Sequence, residues 1–315
     1  MSEKYTIDNI AKRMAMMGYA ASSTDVSTTG EYLVEDAMWN TMDLRHADKL
    51  HPQVAKNSPF FVDHHICCYV IHIKILGVAV PIVGMTYLVN ERALGAVLNL
   101  PFGFLVKSDI ECTQDSEAKT TVRVCYTILS HRFLKFMHGL IAWSLKSNFK
   151  LLMKDDVPMR ERRMELRRMG FRSIQDQCSF LNPLDISRNN IRFDKDQAHG
   201  SREEKEISIS LDELGAGSRA RIELTPEKSF LIIREKQDLL IFPSYCPHEG
   251  AKLDGAQCQN ERVICPWHGR RLDPLCRFEM VDGADKSDRV IREISEINVE
   301  VIYDGHRLQF RQHPA

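Results

Sequence analysis

The sequence lacks an excess of charge of either sign: 42 Lys and Arg stand against 43 Asp and Glu, for a net charge of −1. No electrostatic footprint for nucleic acid follows from such a balance. An apolar leader is missing too. The opening MSEKYTID has neither a basic n-region nor an apolar h-region, so no signal peptide is expected. One stretch, Ile66–Val89, is nearly uncharged, with only His72 and Lys74 ionisable. Gly77, Pro81, Gly84 and many β-branched residues make it two strands with a turn near Gly77–Pro81, not a spanning helix, and no membrane segment is expected. Nine cysteines in 315 residues do not make a disulfide scaffold. A reducing, cytoplasmic setting is expected, and no internal repeat is present. What remains is ordinary globular composition, 43% apolar and 27% charged. Its length accommodates two domains, and the polar stretch DISRNNIRFDKDQAHGSREEKE (185–206) reads as a linker between a domain at 1–184 and another at 207–315.

Near the C-terminus the chain reads CPHEGAKL from Cys246 and CPWHGRRLD from Cys265. Two thiolates and two imidazoles at this spacing are what a Rieske [2Fe–2S] cluster requires, Cys246 and Cys265 on one iron and His248 and His268 on the other. A zinc ribbon is the alternative, but zinc sites more often pair like ligands within each short loop. Here each loop carries one Cys and one His in the same order, with Gly250 or Gly269 close behind. FLIIR (230–234), LLIF (239–242) and RVI (262–264) read as strands around the loops. The flanks resemble the Rieske family's CPHxGAxL and CPxHGxxxD, the latter closed by Asp273. Respiratory Rieske proteins add a loop disulfide and a serine, where this chain has Ala251, Trp267 and Arg270. The resemblance therefore implies a potential toward the low end of the Rieske range, about −150 mV, as in the branch that serves oxygenases and their ferredoxins.

In the first domain His46 and His51 are five residues apart, with Asp43 three before the first. An ideal helix turns i and i+5 apart by about 140°, so both rings face one ion only where the helix distorts or ends. Pro52 supplies such an end. A solvated helix face is the alternative for this pair. The segment is similar to Asn-x-x-Asp-x-x-His-x-x-x-x-His of the Rieske non-haem iron oxygenases, matched by Asn40, Asp43, His46 and His51 after the lead-in YLVED (32–36). That resemblance implies mononuclear Fe(II) on His46 and His51 in a 2-His-1-carboxylate triad, with the acid coming from a long helix that carries apolar residues at Leu134, Met137, Ile141, Leu145, Phe149 and Leu152. Asp156 is the expected third ligand and Asp155 the reserve. Read without the family, the two acids cap a short helix opened by Pro158. Asp43 is implied as a catalytic bridge from His46 to a cluster histidine.

The fold expected is α+β, a helix-grip (START-like) antiparallel sheet domain followed by a small all-β Rieske domain. The sheet would enclose an apolar cavity lined by Phe60, Phe61, Tyr69, Tyr87, Phe102 and Phe104, unless these aromatics only fill core. His64, His65, His72, His131 and His138 read as surface or satisfied interior residues. Arg160, Arg162, Arg163, Arg167 and Arg168 read either as a dock for an acidic electron donor or as a solvated face. The implied activity is that of a Rieske mono- or dioxygenase: electrons from NAD(P)H reach the cluster indirectly, through a ferredoxin or flavin reductase, and a small organic substrate is hydroxylated, demethylated or otherwise oxidised with O₂. The alternative function is a START-like ligand-binding protein fused to a Rieske electron carrier. Family members place the Rieske domain first, so the order here is reversed. In them electrons usually cross between subunits of a homotrimer, an arrangement the reversed order either preserves or replaces by transfer within one chain.

Overall fold

The computed structural model describes residues 13–43, 46–51, 54–75, 78–172, 192–193, 205–211, 214–226, 228–280, 289–295 and 298–312. Pro52 and most of 185–206 lie outside them. The described residues up to Met164 form one compact unit and those from Glu165 onward another. Together they are α+β. No helix among them is long and apolar enough to cross a membrane.

The first unit contains β1 (Tyr19–Gly30), α1 (Val34–Met42), α2 (Ala47–Leu50), β2 (Val54–Val62), β3 (Ile66–Ile75), β4 (Val78–Asn90), β5 (Ala93–Leu100), β6 (Phe104–Ser116), β7 (Lys119–His131) and α3 (His138–Arg168). Its strands make one antiparallel sheet in the order β1-β7-β6-β5-β4-β3-β2. The near-uncharged run is indeed a strand pair. Its turn is tighter than expected, however, because Ile75 already pairs with Val78 and Pro81 lies inside β4 opposite His72. The proline is tolerated because pairing with β5 begins only at Val83, so its missing N–H costs no ladder bond on that side.

Two-residue alternation puts Ser108 and Ile110, and Val122, Val124 and Tyr126, on the face of the sheet that looks toward α3. Leu134, Met137, Ile141 and Leu145 pack against Phe104, Val106 and Ile128, while Phe149 joins the core built on Tyr32, Met38 and Tyr69. The helix runs unbroken past Pro158, so Asp155 and Asp156 lie mid-helix and do not cap a shorter one. Pro158 is exposed, as is Lys154, whose carbonyl loses its helical donor and can bond water instead.

The second unit is all β apart from the last turn of α3. It adds the pair β8 (Phe171–Arg172) and β9 (Arg192–Phe193) to two four-stranded sheets. One sheet holds β10 (Glu206–Ser210), β18 (Val290–Ile294), β19 (Val299–Tyr303) and β20 (Arg307–Gln312); the other holds β11 (Arg219–Thr225), β12 (Lys228–Glu235), β13 (Asp238–Pro243) and β17 (Cys276–Glu279). Their inner faces share one core around Phe230, Ile241, Phe278 and Phe310. A smaller sheet of β14 (Gln257–Gln259), β15 (Arg262–Ile264) and β16 (Arg271–Leu272) carries the second Cys-His loop at its β15–β16 connection.

One close approach holds the inner wall of the first sheet in shape. Tyr69 lies across its cross-strand partner Gly84, where an added Cβ would sit 2.5 Å from the ring and 2.8 Å from Leu98. Gly84→Ala is expected to destabilise this unit by about 1–3 kcal/mol, the usual cost of overpacking, seen as a lower urea midpoint at unchanged slope. An unshifted midpoint would show that the ring moves aside freely.

Candidate metal centres

Each Cys-His loop in the second unit folds by the same pair of backbone bonds. Cys246 N–H donates to Ala251 O and Gly250 N–H to Cys246 O; Cys265 N–H donates to Arg270 O and Gly269 N–H to Cys265 O, all at 2.8 Å. The turn needs a left-handed residue four places after each cysteine. Gly250 at φ +77° and Gly269 at φ +67° supply it without the Cβ penalty. This local code explains why each loop carries a glycine four places after its cysteine, with the histidine between them. Cys246, Cys265 and His248 are buried, His268 is half-buried, and the two imidazoles meet edge to face with centroids 4.8 Å apart. The thiols hydrogen-bond each other. That bond, aided by His268 against burial, lowers Cys265 to about 5 and raises Cys246. A thiolate beside a second thiol and two imidazoles fits an iron–sulfur cluster.

Residues 207–292 match the family model described as Rieske [2Fe-2S] domain. This segment is a Rieske domain. A Rieske domain implies a [2Fe–2S] cluster and electron transfer; Cys246, Cys265, His248 and His268 are the residues that would hold it. No disulfide is present among the described residues, in keeping with the absent loop cysteines.

No curated protein sequence matches the chain. Among solved structures it is similar to the Zhui aromatase/cyclase from Streptomyces sp. R1128, with 9% identity and TM-score 0.42 over 46% of this chain and 96% of that one. It is also similar to norcoclaurine synthase from Thalictrum flavum, with 10% identity and TM-score 0.40 over 46% and 98%. A START superfamily protein from Mycobacterium smegmatis shows 10% identity and TM-score 0.38 over 44% and 97%. At these values the likeness carries no argument about activity.

The first unit brings a different set of donors together. His46 and His51 flank the four-residue α2 as its N-cap and C-cap, and His51 has left helical geometry at φ −108°, ψ 93°. The helix therefore ends where an i, i+5 pair needs it to. His46 Nε2 lies 3.3 Å and His51 Nε2 3.1 Å from the same oxygen, Asp156 Oδ1. That buried oxygen accepts no hydrogen bond despite its two close neighbours. Two donors each about 2.1 Å from one ion at right angles lie about 3 Å apart, so the trio fits a metal ion better than it fits mutual hydrogen bonding. His46, His51 and Asp156 are also the group whose donor atoms all fall within 4.8 Å of one another.

The remaining acids take different places. Asp155 Oδ2 faces His51 Nδ1 at 3.4 Å, and Asp43 Oδ2 faces His46 Nδ1 at 3.6 Å. Each ring thus has Asp156 near one nitrogen and a second carboxylate near the other, although neither Nδ1 makes a hydrogen bond. Burial disfavours a charged His46, but the neighbouring carboxylates of Asp156 and Asp43 outweigh it and raise the ring to about 9. Asp156 is held below the usual carboxylate range because the two histidines outweigh the effect of its burial. Positive charge is favoured where the three groups converge.

A cavity of about 320 Å³ between the sheet and α3 opens onto this cluster. Of the six aromatics expected to line it only Tyr69 does. Phe60, Phe61 and Phe102 are exposed, Phe104 belongs to another core cluster, and Tyr87 packs over Gly95 instead. Tyr126 and Phe149 line it in their place. Alternation along Val122-Val124-Tyr126 carried that signal, though not how deep the residue sits. Three of the five arginines depart from both expectations, whereas Arg167 is half-buried and Arg168 is exposed, as a solvated face requires. Arg160, Arg162 and Arg163 are buried, neither solvated nor free to dock a partner. Arg160 Nε donates to Asn40 Oδ1 at 2.8 Å and its Nη2 lies 3.8 Å from Asp156 Oδ2; Arg163 Nε donates to Asp36 Oδ1 at 3.0 Å and stacks over Trp39. Among the other histidines, His138 is a satisfied interior residue between Ser130 Oγ and Ser22 Oγ.

Anaerobically reduced protein should give a Rieske-type electron paramagnetic resonance signal that His248→Ala or His268→Ala removes. Gly269→Ala should weaken cluster retention through strain alone, about 1–2 kcal/mol at one left-handed residue. Full cluster occupancy in that variant would refute the turn argument.

Proposed function

We propose that the chain is a Rieske-type oxygenase that oxidises a small organic molecule with O₂, drawing electrons from an external reductase fed ultimately by NAD(P)H. The observation that carries this reading is the convergence of His46, His51 and Asp156 on the wall of an apolar cavity, in a chain that also has a Rieske domain. These three residues would hold ferrous iron, which when bound supplies O₂ activation, with the cluster as the source of single electrons.

The protein's own groups set the conditions. His46 and His51 as neutral imidazoles, with the Asp156 carboxylate, would hold the ion with one negative charge and would leave room for reactants in the adjoining cavity. Asp43 and Asp155 place a carboxylate within 3.6 Å and 3.4 Å of the Nδ1 atoms of His46 and His51, where a small shift on metal binding would let them take the ring N–H. Arg160 holds the far oxygen of Asp156, so the carboxylate presents Oδ1 to the histidines. Leu98, Ile110, Val124 and Phe149 keep the chamber apolar, which excludes water and strengthens electrostatic interactions inside it. Asp43 is assigned a second role, bridging His46 to a cluster histidine.

Metal analysis separates this reading from an electron carrier fused to a binding domain: three irons per chain are expected, against two for the carrier. His46→Ala, His51→Ala or Asp156→Ala should each remove one iron and all substrate oxidation while the reduced-cluster signal persists. Asp155→Ala should keep its third iron, because that acid faces the opposite side of the His51 ring. Variants of all three ligands with full iron and activity would favour the carrier. Asp43→Asn keeps size but loses the charge on which the proposed bridge depends. Both metals should stay bound while single-turnover reoxidation of the cluster slows severely; normal reoxidation would remove the bridge.

A further inference from the structure

Five hydroxyl-bearing side chains line the cavity: Thr41, Tyr69, Thr86, Ser108 and Tyr126. Three are engaged. Thr41 Oγ1 donates to Ala37 O at 2.9 Å, and Tyr69 and Thr86 share a hydrogen bond of 3.1 Å. Ser108 and Tyr126 are direct cross-strand partners on β6 and β7, and their hydroxyls bond no described residue. Facing residues of an antiparallel pair have Cβ atoms about 5 Å apart, so the two hydroxyls serve one region of the chamber, the serine near the wall and the longer tyrosine deeper. Burial alone pushes the Tyr126 phenol up to about 12, so it remains a neutral donor. A molecule that fills the chamber takes these hydroxyls out of water, which costs about 1–3 kcal/mol each unless it accepts their hydrogen bonds.

The charge on the wall narrows the ligand further. Its charged and titratable groups near neutral pH, Asp43, His46, His51, Asp156 and Arg160, all belong to the metal cluster and its support. Arg160 is spent on Asn40, Tyr32 and Asp156. Away from an ion held by that cluster no cation lines the described cavity to receive a carboxylate, and beside Ser108 and Tyr126 an unpaired charge in an apolar chamber is strongly disfavoured.

We propose that Tyr126 and Ser108 are the specificity-determining pair for a neutral, largely apolar substrate that carries a carbonyl-type hydrogen-bond acceptor. Tyr126 donates to that acceptor, and Ser108 supplies a second, nearer contact. At interior packing density the cavity takes roughly 15 non-hydrogen atoms, the size of a compact three-ring molecule. The inference rests on reading this cavity as the substrate chamber.

Fluorenone, fluorene and fluorenone carboxylate form a matched probe set: neutral acceptor, apolar counterpart and anion. Equilibrium binding to the full holoprotein, followed calorimetrically, should favour fluorenone over fluorene about fivefold, the worth of one net hydrogen bond. The carboxylate should bind at least about tenfold more weakly than fluorenone, as expected for a buried charge without a partner. Tyr126→Phe should erase the preference and leave fluorene affinity within about twofold; Ser108→Ala should reduce the preference. Failure of fluorenone to bind, an unchanged preference in Tyr126→Phe, or tighter binding of the carboxylate would overturn the proposal. An unchanged preference in Ser108→Ala would remove that residue from it. The His46→Ala/His51→Ala chain tells this apart from the oxygenase reading, since loss of one iron supports that reading and full iron counts against it, while retention of the fluorenone preference tests the hydroxyl pair alone.

Discussion

The geometry of the first unit depends on two buried guanidinium groups. Arg160 and Arg163 lie one turn apart on α3 and reach two residues one turn apart on α1, Asn40 and Asp36. All four are almost inaccessible to water. Removing one partner from such a pair costs about 3–5 kcal/mol, because the other is left charged or polar without solvent. The register of the two helices is therefore pinned. Asp43 caps α1 and His46 and His51 flank α2 just beyond it, while Asp156 sits one turn before Arg160 on α3. The lock that holds the helices together thereby sets the distance between the histidines and the acid.

The two candidate metal centres are built by opposite strategies. Each Rieske loop is made locally, by a cysteine, a histidine and a left-handed glycine within five residues, and the same two backbone bonds recur in both. The histidine pair and Asp156 come from segments far apart in the chain, so their convergence depends on the whole sheet-and-helix packing. Burial then acts with opposite signs on its members, opposing charge on both His46 and Asp156 until each supplies the other's counter-charge. The cavity beside them remains open because small residues, Ala96 and Ser108 among them, occupy inward positions on the central strands.

Much of this was legible in the chain itself. β3, β4 and β7 follow from alternation and β-branched residues, and the apolar spacing from Leu134 to Leu152 places the correct face of α3 against the sheet. Periodicity reports which face a residue occupies, but not its depth or its neighbours. For that reason Phe60, Phe61 and Phe102 read as cavity residues although they are exposed, and Arg160 and Arg163 read as surface charge although they are buried. A guanidinium is inside only where partners await it, and those partners lie more than a hundred residues earlier in the chain.

By itself the sequence determined the donor chemistry: paired Cys-His loops with their glycines, and a histidine pair at a helix end, since these are encoded within a few residues by backbone geometry and ligand type. Only the tertiary structure decided which acid turns toward the histidines. On adjacent helical positions Asp155 and Asp156 point about 100° apart, and it is the docking of α3 against α1 that directs one of them to both Nε2 atoms and the other to the far side of a single ring. The same long-range packing left Ser108 and Tyr126 facing the chamber with their hydroxyls unspent, because which polar groups find partners is settled by neighbours that only the folded chain brings together.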